Sequence, residues 1–195
     1  MEQKTGHGAK QPYIFSHERA AWLDEPEREG WLPTAAIIEL LDAPSGARFL
    51  DLYAGSGAVG IEAASRGAES VVMVERAVPA LKVLRSNLEK LGLRGGVRVE
   101  AVSVGAFLRR VRPESAAVRF DVVFLDPPYE AEEEYAMALG LLGGEAMGLL
   151  ADGAVVIAEH RRKDKLADAY GVLRGTRVLE QGDAGLSFYR TASSP

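Results

Sequence analysis

The stretch Phe49-Leu50-Asp51-Leu52-Tyr53-Ala54-Gly55-Ser56-Gly57-Ala58-Val59-Gly60 predicts a strand, a tight turn and the start of a helix in immediate succession. Its second half has the pattern Gly-x-Gly-x-x-Gly. Glycines let the chain turn sharply out of a strand and let a ligand approach the backbone closely. The pattern alone is a weak indication, since it suits nicotinamide cofactors, flavins, S-adenosylmethionine or no ligand at all.

Two carboxylates beside this turn narrow the class of ligand. The next apolar run, residues 70–75, ends at Glu75, and an acidic residue at that place accepts hydrogen bonds from ribose hydroxyls in nucleoside-binding folds. Asp51 lies just before the glycines, where it would repel the pyrophosphate of a dinucleotide. S-adenosylmethionine has no phosphate and carries two cationic groups, so the charges favour it. A second role for Asp51, bonding the loop or capping the helix, stays open.

A second motif, Asp126-Pro127-Pro128-Tyr129, follows the apolar run 120–125. In an open α/β sheet the carboxyl ends of the strands face the ligand crevice. Consecutive prolines fix φ and remove two N–H donors, which makes the turn rigid. A carboxylate and an aromatic ring beside such a turn suit a planar ring with an exocyclic amino group, such as a nucleobase. A purely structural turn is the alternative.

Composition restricts the chain to a few classes of protein. Its 195 residues, 47% of them hydrophobic, suffice for one well-buried domain. The net charge of −5 argues against polyanion binding over the whole surface but permits a local basic patch. There is no cysteine, and the three histidines show no ligand spacing, so we predict no metal site. The absence of a signal-peptide pattern and of a membrane-spanning run predicts a cytoplasmic protein.

Strand-like and helix-like segments alternate after residue 44, which predicts a mostly parallel sheet with helices on both faces. Residues 1–43 are expected to form a flexible N-terminus and a helical lead-in, with helices over 18–24 and 34–41, and residues 44–195 a single domain. The seven predicted strands cover 48–53, 70–75, 97–102, 120–125, 154–159, about 172–180 and 185–190, the last two as an antiparallel hairpin. The predicted helices cover 57–66, 78–91, 104–111 and 131–142.

Together these motifs resemble those of the bacterial small-subunit ribosomal RNA guanine-N2 methyltransferases, the RsmD-like family of class I S-adenosylmethionine enzymes. The resemblance covers most of residues 47–190, and its strongest parts are 49–68, 74–76, 84–88, 120–129, 159–160 and 182–189. It implies a Rossmann-like class I methyltransferase that transfers a methyl group to N2 of a guanine in 16S ribosomal RNA. We expect RNA as the partner, a monomer, and neither metal nor membrane.

The resemblance also implies roles for individual residues. Asp51, Gly55 and Gly57 would hold the methionine end of the cofactor, and Glu75 its ribose. Ser103 stands near the place of an acidic residue common in the family and would accept a bond from the adenine amino group. The full set of residues expected at the cofactor is Asp51, Tyr53, Gly55, Gly57, Glu75, Arg76, Ser103 and Asp126. The residues expected to act on the guanine are Asp126, Pro127 and Tyr129.

The lead-in departs from the family pattern, in which an Arg-Pro-Thr sequence precedes the first helix. Here only Pro33-Thr34 remains, after Leu32, and the preceding segment looks more like that of small-molecule methyltransferases. Other acceptors therefore stay open: DNA, tRNA, a small molecule or a protein glutamine. A non-catalytic RNA-binding assembly factor of the same fold is a further alternative. A nicotinamide dehydrogenase is disfavoured by Asp51 and the Pro-Pro turn.

Basic side chains supply the candidate RNA contacts. Arg161, Arg162 and Lys163, with Lys165 nearby, follow the fifth strand at the edge where the motif turns lie. A weaker cluster after the third strand consists of Arg109, Arg110 and Arg112. For either cluster, a solvated surface is the alternative. His160 is expected either to touch RNA or to serve as a capping or core-edge residue.

Overall fold

The computed structural model describes residues 45–110, 118–128 and 131–191. Within them, strands and helices alternate as the sequence predicts. The strands are β1 (Arg48–Leu52), β2 (Ser70–Val74), β3 (Val97–Glu100), β4 (Phe120–Leu125), β5 (Leu150–Arg161), β6 (Ala169–Tyr170), β7 (Leu173–Gln181) and β8 (Ala184–Thr191). The helices are α1 (Ala58–Ser65), α2 (Val78–Lys90), α3 (Val104–Arg110) and α4 (Glu132–Leu142), with a 3-10 turn at Met147–Leu149.

All the described strands belong to one sheet, in the order β3-β2-β1-β4-β5-β8-β7-β6. Strands β1 to β5 are parallel, whereas β8 pairs antiparallel with β5 and β7 antiparallel with β8. The chain moves outward from β1 to β3 and then returns to the other side of β1 as β4. This reversal places a topological switch point between β1 and β4, which is where open α/β sheets bind their ligands.

Two apolar layers enclose the sheet. Neighbouring residues of β1 enter opposite layers: Phe49 packs in the layer that holds α1 and α2, and Leu50 in the layer that holds α3 and α4. Both side chains are fully buried. Because the central strands are covered on both faces, they are continuous apolar runs rather than alternating ones. This burial fixes the register of β1 and β4 and with it the position of the turns that follow them.

The fold agrees with the predicted class and adds one strand. The short strand β6 pairs with β7 and was missed, because two residues are too few to show a hydrophobic period. Strand β5 begins four residues before the predicted 154–159, since Asp152 and Gly153 resemble a turn in sequence. A register irregularity between Phe120 and Val122 of β4 accommodates this extension. The predicted lead-in, residues 1–43, lies outside the described residues.

Candidate active site at the switch point between β1 and β4

Two glycines after β1, Gly57 at the start of α1 and Gly60 within it, leave no room for a side chain. Gly57 precedes α1 with a φ of 83°, and a Cβ there would lie 3.1 Å from Leu84 Cγ and 3.2 Å from Met73 Sδ. A Cβ on Gly60 would lie 2.8 Å from Met73 Cγ and 3.0 Å from Asp51 Oδ2. Gly57 and Gly60 therefore allow the start of α1 to pack closely against β1, β2 and α2.

We expect Gly57→Ala to lower the free energy of unfolding by about 2–4 kcal/mol, since left-handed backbone strain and overpacking add. Gly46 is the matched control, because its φ is 89° and no atom lies within 4 Å of an added Cβ. Gly46→Ala should cost only the backbone strain, about 1–2 kcal/mol. Urea unfolding of both variants measures the difference. Equal losses would show that Leu84 and Met73 make room for the methyl group.

Asp51 is almost fully buried and caps the helix that follows it. Its Oδ2 accepts a hydrogen bond from the Gly60 N–H at 3.0 Å, in the first turn of α1. This bond satisfies one of the N–H groups that a helix start leaves without an intrahelical acceptor. The loop-bonding role that the sequence left open is thus present. A contact between Asp51 and a cofactor stays a prediction.

Glu75 ties the end of β2 to the glycine turn through three backbone donors. Its Oε2 accepts from the Gly55 N–H at 2.9 Å, and its Oε1 accepts from the N–H groups of Arg76 and Ala77, both at 2.7 Å. An ionised carboxylate offers about four acceptor positions. Acceptor capacity for one hydroxyl therefore remains at the place where the sequence predicts a ribose.

Tyr53 and Arg76 converge on a residue that the sequence did not single out, Glu134. Tyr53 has a φ of 63°, the only positive φ of a non-glycine residue in the described chain, and its hydroxyl donates to Glu134 Oε2 at 2.7 Å. Arg76 Nη2 lies 3.9 Å from Glu134 Oε1. Burial and the Glu134 carboxylate raise the pKa of the Tyr53 phenol far above its usual range, so the hydroxyl stays a donor.

Ser103 caps the third helix. Its hydroxyl accepts a hydrogen bond from the Ala106 N–H at 3.2 Å, and its carbonyl accepts from the Phe107 N–H at 2.9 Å. Serine is favoured at such a position because its oxygen replaces a missing intrahelical acceptor. A bond between Ser103 and an adenine remains a prediction.

The Asp126 motif begins where β4 ends, directly beside the glycine turn. The Asp126 N–H donates to the Leu52 carbonyl at 3.4 Å, which joins the residue that follows β4 to the last residue of β1. Asp126 is half-buried, Pro127 is buried and Pro128 is exposed. The Pro128 carbonyl accepts a hydrogen bond from the Ala131 N–H at 2.8 Å, and Ala131 is the residue before α4 begins. Tyr129 lies outside the described residues.

The basic turn, Arg161 to Lys163, lies at the same edge of the sheet. Leu125 of β4 pairs with Ala158 of β5, so β5 continues past the end of β4 and carries Arg161 to the crevice edge. Arg162 and Lys163 are exposed, and Arg161 is half-buried. The backbone of the turn is fixed to the β7–β8 hairpin, since the Arg162 N–H donates to the Asp183 carbonyl at 2.8 Å.

His160 lies at the edge of the buried core and is hydrogen-bonded to the backbone of Arg161, the first residue of the basic turn. It is 3% exposed, and its Nδ1 and Nε2 lie 2.8 Å from the Arg161 carbonyl and 2.7 Å from Ser187 Oγ. A carbonyl only accepts, so Nδ1 carries the proton and, in the neutral ring, Nε2 accepts from the serine hydroxyl.

Of the weaker basic cluster, Arg110 pairs with Glu100 at 2.8 Å, and Arg112 lies outside the described residues.

No group of three or more potential metal-ligating side chains occurs in the described part of the chain. Nor does that part contain a helix with the length and apolar character needed to cross a membrane.

The sequence model of the family described as "Conserved hypothetical protein 95" matches residues 35–190. The chain belongs to this family. These are the RsmD-like proteins, and the match confirms the predicted class I, S-adenosylmethionine-dependent methyltransferase fold.

Relatives and solved structures agree with membership of the RsmD-like family. The chain is 38% identical to the "Putative rRNA methyltransferase YlbH" of Bacillus subtilis over 145 residues, which cover 74% of this chain and 76% of that one. It is 32% identical to the release factor glutamine methyltransferase of Burkholderia pseudomallei over 82% of this chain and 55% of that one. The structure of the "Putative methyltransferase yhhF from Escherichia coli" superposes with a TM-score of 0.70 at 26% identity, covering 83% of this chain and 87% of that one.

The residues at the switch point of this RsmD-like chain fit the cofactor of the class. Glu75 offers an acceptor where the sequence predicts the ribose, and Gly55 and Gly57 bring backbone rather than side chains to the turn. Asp51 supplies negative charge beneath that turn, which suits a cationic ligand better than a phosphate. Sequence reasoning missed Glu134, because Glu132, Glu133 and Glu134 together form the charged first turn of α4 and nothing in the sequence separates them.

Proposed function

We propose that this protein is an S-adenosylmethionine-dependent N-methyltransferase that methylates the exocyclic N2 of a guanine in small-subunit ribosomal RNA. One observation carries the proposal. The hydrogen bond between Asp126 and Leu52 joins the base-binding turn, which begins at Asp126, to the end of β1, where the cofactor turn (the glycine turn, residues 53–57) begins. A nucleobase held by the first turn would therefore face a methyl donor held by the second. Family membership and the likeness to YlbH support ribosomal RNA as the acceptor.

S-adenosylmethionine supplies a methyl group on a sulfonium, which is already an activated leaving group. The protein has to place the amine nitrogen about 3–3.5 Å from the methyl carbon and in line with the carbon–sulfur bond. The lone pair of the guanine amine is delocalised into the ring. The Asp126 carboxylate and the Pro127 carbonyl would accept its N–H hydrogens, favour a pyramidal nitrogen and offset the positive charge that develops there.

The acceptor base also has to be held flat and outside any helix. Tyr129 would stack on the guanine, and such stacking contributes about 1–3 kcal/mol per base. Extruding a paired base costs a few kcal/mol, so an unpaired or loop guanine is the favoured target. Proton loss follows transfer and requires no dedicated strong base.

A protein glutamine is the second candidate acceptor. The likeness to the release factor glutamine methyltransferase favours it, and a glutamine amide offers the same planar nitrogen to an Asp-Pro-Pro-Tyr turn. Incubation with radiolabelled S-adenosylmethionine would test both, with small ribosomal subunits, free ribosomal RNA, tRNA, DNA, release factor and small metabolites side by side. Label in the subunit or its RNA supports the proposal, and label only in another acceptor contradicts it.

We expect the basic turn to bind RNA phosphates. A plot of the logarithm of the RNA binding constant against the logarithm of the salt concentration has a negative slope. Replacing Arg161, Arg162 and Lys163 with alanine should make that slope shallower by about 2, since each phosphate contact to a single strand contributes about 0.7. Filter binding between low and moderate salt measures the slope.

A matched control removes three basic residues at the opposite edge of the sheet. Lys90 ends α2, and Arg94 and Arg119 lie just before β3 and β4, so all three face away from the crevice. Their replacement should leave the slope unchanged. If both triple variants change it equally, RNA binds through overall charge, and the basic turn has no special part.

A further inference from the structure

Glu134 bridges the two halves of the crevice. Its two carboxylate oxygens take different partners, Tyr53 at the start of the cofactor turn and Arg76 just after β2. Glu134 itself lies in the first turn of α4, the helix that follows the Asp126 motif. One side chain thus connects the strand ends that carry the cofactor turn with the element that carries the base-binding turn.

The contact with Tyr53 is built rather than incidental. Tyr53 adopts a left-handed φ of 63°, a conformation that a bulky residue rarely takes without support from its surroundings. The side chain is half-buried and packs against the apolar layer that contains α4. A phenol donating to a carboxylate at 2.7 Å forms a charge-assisted hydrogen bond, which is stronger than a neutral one.

Backbone hydrogen bonds continue the connection from Glu134 to the base-binding turn. The Glu134 N–H donates to the Ala131 carbonyl at 2.9 Å, and the Ala131 N–H donates to the Pro128 carbonyl at 2.8 Å. A shift of the first turn of α4 would therefore displace the Asp126-Pro127-Pro128 segment as well. By contrast, Glu75 and β2 hold the glycine turn independently of Glu134.

We propose that Glu134 is a positioning residue that sets the distance and angle between the base-binding turn and the cofactor turn. The methyl acceptor in this proposal is the one given by the proposed function. The contacts that connect Glu134 to the two turns do not depend on that function. Because Glu75 keeps the glycine turn in place, loss of Glu134 should leave cofactor affinity nearly unchanged. The alignment of amine and methyl group should suffer instead, and misplacement by about 1 Å can cost on the order of 10²-fold in rate.

The kinetic test compares Glu134→Ala with Glu133→Ala. Glu133 is exposed in the same helical turn and has no ion pair within the described residues, so it controls for charge at the helix start. In single-turnover methylation of small ribosomal subunits, Glu134→Ala should lower the rate about 10- to 100-fold, with the dissociation constant for S-adenosylmethionine within about threefold of wild type. Glu133→Ala should match wild type in both.

Two further variants separate positioning from general support of the fold. Glu134→Gln keeps a neutral acceptor for the Tyr53 hydroxyl and should recover part of the rate. Tyr53→Phe removes only that hydroxyl, and adding it to Glu134→Ala should cause little further loss, since both changes break the same bond. If Glu134→Ala lowers the melting temperature but leaves the rate equal to that of Glu133→Ala, the role is merely structural and the proposal is wrong.

A measurement without acceptor or cofactor keeps the proposal testable if the target RNA is not the one proposed. Amide hydrogen exchange in the segment 131–134 should be about tenfold faster in Glu134→Ala than in Glu133→Ala, because the bond to Tyr53 restrains that turn. Equal exchange in the two variants overturns the connection. If wild-type protein transfers no methyl group to ribosomal subunits, the proposed function fails, while the exchange result still decides the role of Glu134.

Discussion

Replacing Asp126 with alanine is expected to lower the rate of methyl transfer by at least about 10²-fold, because the amine loses an acceptor that stabilises the charge developing in the transition state. The change should leave the turn in place. The bond that joins it to β1 uses the Asp126 backbone N–H rather than the side chain, and the following two prolines keep their fixed φ. The loss should therefore be chemical rather than structural.

Single-turnover kinetics with saturating cofactor would measure this effect, and calorimetry with S-adenosylmethionine would run in parallel. Cofactor affinity should stay within a few-fold of wild type. Asp126→Asn is the matched variant, since it keeps the size and one acceptor oxygen but loses the charge. Its rate should lie between those of wild type and Asp126→Ala. An unchanged rate in Asp126→Ala would remove this carboxylate from the mechanism.

Glu75→Ala should affect the cofactor rather than the acceptor base, and it should weaken cofactor binding by about 10- to 100-fold. One cause is the loss of the single charge-assisted bond that Glu75 can offer to the ribose, worth about 1.5–3 kcal/mol. The second is local, since the N–H groups of Gly55, Arg76 and Ala77 lose their shared acceptor and the glycine turn is no longer held to β2. The methylation rate at saturating cofactor should change far less than the affinity.

Calorimetry and thermal unfolding would separate these two causes. The shift in melting temperature caused by added cofactor should shrink, because stabilisation by a ligand follows its dissociation constant. The melting temperature without cofactor should also fall, owing to the released turn. Glu69→Ala is the control, an exposed glutamate before β2 at the opposite edge of the sheet. Unaltered affinity in Glu75→Ala would sink the ribose assignment.

The strands that form the site were predictable because burial on both faces makes them continuous apolar runs. The bounds of β4 match the prediction, and those of β1 and β2 differ from it by one residue at the carboxyl end. The closeness of the Gly55–Gly57 turn to Asp126 also follows from sequence, since parallel strand ends share one edge and ligands bind where the strand order reverses. The class of fold and the cofactor were accessible for these reasons.

Side-chain partners were less predictable, because they depend on neighbours distant in sequence. Tyr53 and Arg76 were expected at the cofactor, yet their side chains meet at Glu134, 81 and 58 residues further along the chain. Asp51 and Ser103 likewise cap helices. A carboxylate or hydroxyl beside a ligand turn suits either role, and only the fold shows which backbone N–H it reaches.

The place of the basic turn could be predicted from sequence, whereas the role of the neighbouring His160 could not. The run of basic residues after β5 was visible in sequence, and the length of β5 places it at the crevice edge as expected. The role of His160 could not be assigned from sequence, since its partners are the Arg161 carbonyl and Ser187. Ser187 lies in β8, 27 residues further along the chain. RNA contact by Arg161, Arg162 and Lys163 stays a prediction.

Methylation of N2 of a guanine in small-subunit RNA is the function that we propose for the two turns at the switch point. Its most direct test is nucleoside analysis by mass spectrometry of 16S RNA from small ribosomal subunits prepared without this enzyme. The subunits would be incubated with cofactor and either wild-type protein or Asp126→Ala. N2-methylguanosine that forms with wild type and not with the variant is the predicted result. A different methylated nucleoside, or none, would contradict it.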